Sequence, residues 1–131
     1  MEGPTKLRVL VVDDEPFVRS FVDRVLRDAG FETALAADGA EALAIIEKQP
    51  AFGLLLTDQL MPKMNGDELA RRVRLQQPEI KVLYLTGYRD SLFEAKTTLW
   101  TGEAFLEKPV TMNELMEAVS LLLYGAIERP A

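Results

Sequence analysis

Five side chains in this sequence are of the types that handle a divalent cation and a phosphoryl group, and each stands where an apolar run stops. Asp13 and Asp14 follow the run 7–12, Asp58 follows 52–57, Thr86 closes 82–85, and Lys108 comes after 104–106. Three acids, a hydroxyl and a lysine gathered at one place offer hard oxygen ligands to a metal and positive charge to a phosphoryl group. They can meet only if the ends of the four runs meet. Parallel strands of one open sheet arrange this, because their carboxyl ends share the edge at which such sheets bind ligands.

The runs suit that sheet. LRVLVV (7–12), TALA (33–36), FGLLLT (52–57), VLYLT (82–86) and AFL (104–106) are continuously apolar, as strands covered on both faces are. Helical patterns lie between them. Val18, Phe21, Val22, Val25, Leu26 and Ala29 form one apolar stripe, with Pro16 suited to the first turn and Gly30 to the end. Asp38 with Glu41, Asn65 with Glu68, and Thr111 with Glu114 have the spacing of reciprocal helix caps. Met112, Leu115, Met116, Val119, Leu122 and Leu123 share one face of a last helix. A further helix of uncertain length is expected within 90–103, where Trp100, Thr101 and Gly102 interrupt the pattern. Strand and helix thus alternate five times, which predicts an α/β fold with a doubly wound parallel sheet.

Composition narrows the function. The 131 residues, 48% hydrophobic, suit one domain over 1–131 with a core from about 6 to 124. Fifteen Lys and Arg against 21 Asp and Glu give a net charge of −6, so direct nucleic-acid binding is not expected. The absence of Cys and His excludes disulfides, thiol chemistry, histidine catalysis and the usual zinc sites. No apolar stretch is long enough to span a bilayer, and a cytoplasmic protein without a membrane segment is expected.

On the motifs VVDDEP (11–16), LLTDQLMPKMNG (55–66), YLTGY (84–88) and AFLEKP (104–109), the chain resembles the receiver domain of two-component response regulators, from about Lys6 to Tyr124. The resemblance implies a flavodoxin-like sheet of order 2-1-3-4-5 with five helices. It implies Asp58 as the phosphoacceptor, and Mg²⁺, with Mn²⁺ as a substitute, held by Asp14, Asp58 and the backbone carbonyl of Leu60. Asp13 would act on the metal through a bound water. Lys108, before a cis bond to Pro109, would grip phosphate oxygens, while Thr86 and Phe105 would form the switch. The donor would be a histidine kinase or histidine phosphotransfer protein. A downstream output protein or fused domain would read the face of the fourth helix, fifth strand and fifth helix.

Electrostatics favours the same assignment over plain surface acids. Two carboxylates about 4 Å apart repel by roughly 4 kcal/mol at an effective dielectric near 20, so three together call for a cation. Taken singly, Asp13-Asp14 also suits a helix start, Thr86 a strand, Phe105 a core, and Gly66 and Gly87 turns or close packing. Leu60 and Tyr88, two places beyond Asp58 and Thr86, would hinder an attacking water and slow self-dephosphorylation. The stretches TGYRDSLF and LWTGEAFLEKPVTMNEL look like receivers of hybrid sensor kinases, and positions 111–124 lack the Lys or Arg of winged-helix regulator dimers. A stand-alone regulator and an excised module both fit. Two other functions compete. A Mg²⁺-dependent phosphohydrolase would need a general acid and a DxD nucleophile motif, which is absent. A silent receiver-like interaction module would commonly have lost one of the five key residues.

Overall fold

Continuous apolar runs form strands here because helices cover both faces of the sheet. The computed structural model describes residues 7–49, 51–87 and 102–125. Its elements are β1 (Arg8–Val12), α1 (Pro16–Asp28), β2 (Glu32–Ala36), α2 (Gly39–Lys48), β3 (Leu54–Asp58), α3 (Gly66–Gln76), β4 (Lys81–Thr86), β5 (Glu103–Glu107) and α4 (Met112–Tyr124). All strands pair in parallel, in the order β2-β1-β3-β4-β5. Successive side chains point to opposite faces of a strand. Leu10, Val12, Leu55, Val82 and Tyr84 therefore pack with Ile46 of α2 and Leu69 and Val73 of α3. Val9, Val11, Leu54, Leu56, Leu83 and Leu85 pack with Val22 and Leu26 of α1 and Leu115 and Val119 of α4. Each such Leu or Val gains roughly 1.5–3 kcal/mol from burial, which is why neither face can be left open.

Two of the three expected caps form. Thr111 and Glu114 bond each other's backbone N–H in a full capping box. Asp38 accepts from the Glu41 N–H, while Glu41 reaches back to Ala37. Asn65 departs from the expectation and makes no side-chain cap bond. Glu68 turns instead to Arg71 and Arg72, and the Gln59 side chain takes the Asp67 N–H. Pro16 sits in the first turn of α1, and Gly30 follows that helix at φ +97°, a conformation only glycine adopts cheaply.

Other differences concern exposure. Phe21 and Met112, expected on buried stripes, are 40% and 58% exposed, because each lies on the rim of its helix face. The Lys108–Pro109 bond is cis. Of the helix expected within 90–103, only Gly102 and Glu103 fall among the described residues, and Glu103 begins β5. The segment 88–101, including Tyr88, lies outside the described residues.

Candidate functional site

Strand register builds the site. Val12 of β1 is level with Thr57 of β3, so Asp13 and Asp58 leave the sheet side by side at its carboxyl edge. On the other flank Asp58 is level with Leu85, and Thr86 with Glu107. The Lys108 N–H donates to the Thr86 carbonyl at 2.7 Å, which ties the end of β5 to that of β4. The structure thereby brings together Asp13, Asp14, Asp58 and Lys108, and it adds Glu15. One carboxylate oxygen from each of Asp13, Asp14, Glu15 and Asp58 lies within 4.8 Å of the others.

Asp13 is fully buried. Its Oδ1 accepts from the Glu15 N–H at 2.8 Å, and its carbonyl accepts from Arg19 Nη1 at 2.6 Å. Its Oδ2 has Lys108 Nζ at 3.2 Å but no aligned hydrogen-bond donor. Lys108 Nζ also lies 2.8 Å from Glu15 Oε1 and 3.5 Å from Asp58 Oδ1. Three of the four acids thus share one ammonium, and Asp14 stands beside them without it.

The imbalance shows in the proton affinities. Burial raises the Asp13 carboxyl. Burial, then the charge of Asp13, pushes Asp58 up to about 7. Burial alone would lower Lys108, but Glu15, Asp58 and Asp13 outweigh it and hold the ammonium above its usual range. A divalent cation bound by oxygen suits this donor set: clustered carboxylates with one buried oxygen that lacks a donor. Leu60, whose carbonyl is the remaining expected ligand, stands at the rim with its side chain 55% exposed.

The expected switch residues occupy the flank. Thr86 is buried, and its hydroxyl donates a long bond, 3.4 Å, to the Leu106 carbonyl. Phe105 is half-buried against the cluster under α2 and α3, level with Tyr84.

Three further residues fix Asp58 from behind or crowd it from in front. Gly66 donates its N–H to the Gln59 carbonyl at 2.8 Å, and a Cβ there would stand 2.4 Å from the Asp58 carbonyl oxygen. Only glycine permits that approach. Gln59, buried, clips α3 by accepting from the Asp67 N–H at 3.0 Å and donating to Asp67 Oδ1 at 3.1 Å. Glu15 is the third. Its one sequence signal was adjacency to Asp13-Asp14, masked by its place just before a helix-starting proline.

The same order of motifs on the same sheet recurs in known proteins. Residues 9–120 match the response regulator receiver domain. This chain belongs to that family. It is 31% identical over 119 residues to the response regulator receiver protein CpdR of Brucella abortus, covering 91% of this chain and 98% of that protein. It is 37% identical to the transcriptional regulatory protein TrcR of Mycobacterium tuberculosis, covering 95% of this chain but 49% of the relative. The receiver therefore spans nearly all of one relative and about half of the other. Among solved structures, the receiver domain of the hybrid histidine kinase CckA superposes with a TM-score of 0.75 at 36% identity, over 88% of this chain and 98% of that one. Receiver domains are signalling modules of two-component systems. Among the described residues of this one, no helix is long and apolar enough to cross a membrane.

Proposed function

We propose that this receiver is a phosphorylation-controlled switch in the cytoplasm whose Asp58 accepts a phosphoryl group from a phosphohistidine on a histidine kinase or phosphotransfer protein. The observation that carries the proposal is the charge imbalance at the carboxyl edge, four acids around a single lysine. Mg²⁺ held among Asp13, Asp14, Asp58 and the Leu60 carbonyl would neutralise that edge and spread the charge on the transferring oxygens.

The chain's own residues then have separable tasks. A carboxylate oxygen of Asp58 bonds to phosphorus as the P–N bond to the donor histidine breaks, and the electron pair leaves with the ring nitrogen. Gly66 and Gln59 hold the Asp58 backbone still while this happens. Lys108, a compact point charge, offsets the phosphoryl oxygens. Thr86 exchanges its long bond to Leu106 for a phosphate oxygen, a charge-assisted acceptor and so a stronger one. Phe105, next in space to that strand end, follows the hydroxyl inward. Output is read on the face that contains β5 and α4. A shift from 1:99 to 99:1 needs about 5.5 kcal/mol, to which two new bonds to a dianionic group contribute substantially.

A cleft beside Lys108 supports a place for the donor. Phe17, 91% exposed, and Phe21 border a cleft of about 180 Å³ that Lys108, Pro109 and Val110 complete. Any protein presenting a phosphohistidine to Asp58 must cover this rim, and a helix with an apolar face suits it.

Incubation with Mg²⁺ and acetyl phosphate tests the assignment. Intact-mass and peptide analysis should find one phosphoryl group on residue 58 of the wild type and none on Asp58→Asn. A wild type that gains no mass overturns it.

A further inference from the structure

The ammonium that must meet the phosphoryl group is held most closely by a carboxylate with no assigned part in the chemistry. Lys108 Nζ lies 2.8 Å from Glu15 Oε1, against 3.2 Å to Asp13 Oδ2 and 3.5 Å to Asp58 Oδ1. Glu15 occupies the N-cap position of α1 yet makes no side-chain cap bond. Its own N–H donates to Asp13 Oδ1. The Glu15 carboxylate is thereby left to Lys108, 93 residues away in the chain.

We infer that Glu15 is a positioning residue, a latch that holds Lys108 in the resting receiver and slows its transfer to the incoming phosphoryl group. The inference rests on Asp58 being the phosphoacceptor. An ammonium is a point charge on a flexible stem, so it follows the strongest partner within reach. In the resting state that partner is Glu15. The Glu15 side chain is 59% accessible and that of Lys108 14%, and a pair with one partner so exposed is weak enough to exchange. An acyl phosphate on Asp58, carrying up to two charges in a less exposed place, wins the lysine from it. Hydrolysis of the acyl phosphate returns Lys108 to Glu15 and resets the receiver.

In the test reaction an Asp58 carboxylate oxygen forms the new bond to phosphorus. The bond from phosphorus to the acetate oxygen of acetyl phosphate breaks, and acetate departs with the electron pair. Wild type, Glu15→Gln and Glu15→Asp are compared as full chains with Mg²⁺ and acetyl phosphate, following mass gain on residue 58 with time. Glu15→Gln frees the lysine and speeds phosphorylation about two- to fivefold, the size that one half-exposed ion pair carries. Glu15→Asp keeps the negative charge but is one methylene too short for the contact, so a latch makes it fast as well. Melting temperatures stay near that of the wild type, since Glu15 caps nothing. Acceleration confined to Glu15→Gln shows plain relief of repulsion and overturns the latch, as does an unchanged or slower rate in Glu15→Gln. Absence of phosphate on residue 58 in the wild type removes the phosphoacceptor assignment and the latch together, whereas equal rates in a phosphorylated wild type and its variants remove the latch alone.

Discussion

Two polar clusters penetrate this fold, one at the carboxyl edge of the sheet and one beneath α3 at the amino end of β5. In the second, Arg74 Nη2 stands 3.6 Å from Glu103 Oε2, and the Tyr84 hydroxyl donates to the same oxygen at 3.3 Å. The Glu103 side chain is 1% exposed and that of Arg74 12%. Among the described residues Glu103 there has an arginine at ion-pair distance, and burial, then Glu103, keeps the Tyr84 hydroxyl protonated well above its usual range. At the carboxyl edge, among the described residues, four clustered acids have one lysine, which contacts three of them. A balanced buried cluster has little to gain from a ligand. An unbalanced one stores repulsion that a cation can relieve, and this separates the Arg74–Glu103 pair from the proposed phosphoacceptor site.

The comparison breaks most visibly if one charge is removed from each cluster. Arg74→Met takes the guanidinium from a carboxylate that is almost wholly buried, and loss of one partner of such a pair costs about 3–5 kcal/mol. Urea unfolding should show that loss. Removing a charge from the edge should act with the opposite sign. In metal-free protein at pH 8, Asp58→Asn should raise stability by about 1–3 kcal/mol, a range discounted for solvent access at the rim. Mg²⁺ should then raise the melting temperature of the wild type more than that of Asp58→Asn, because the variant has lost a ligand. A destabilised Asp58→Asn, or equal Mg²⁺ shifts, would abolish the distinction between the clusters.

How far these clusters could be read from sequence differs for a physical reason. Asp13, Asp58 and Lys108 were legible because each ends an apolar run, and parallel strands bring such ends to one edge. Strand positions and the Thr111–Glu114 box were legible from period and spacing, whereas the sheet order came only with the resemblance to receiver domains. Arg74 and Glu103 were not, because an Arg on an amphipathic helix and a Glu before a short strand each look solvated until the tertiary packing joins them. Asn65 was misread for a related reason. The cap of α3 comes from Gln59, whose side chain reaches Asp67 only after β3 has turned back over the helix start. Glu15 was hidden by its pairing with a lysine from the far end of the chain.

The finest separation of the clusters is by pH. Asp58 has a folded pKa of about 7, raised above its ordinary 3.8 by burial and then by Asp13. A carboxyl raised on folding binds its proton more tightly in the native state. Its favourable contribution is full below pH 3.8 and is lost as pH rises through 7. Metal-free wild type should therefore lose stability relative to Asp58→Asn between pH 4 and pH 7, with the gain from Asp58→Asn at pH 5 about a third of that at pH 8. The Arg74→Met penalty should keep its sign at both ends of this window, since the wild-type arginine stays charged throughout and its loss leaves Glu103 buried without that cation. Unfolding curves at pH 5 and pH 8, with chelator present, check both slopes. A flat Asp58→Asn difference would mean that the edge carboxylates are already relieved without a cation, leaving the charge imbalance without the energetic meaning assigned to it.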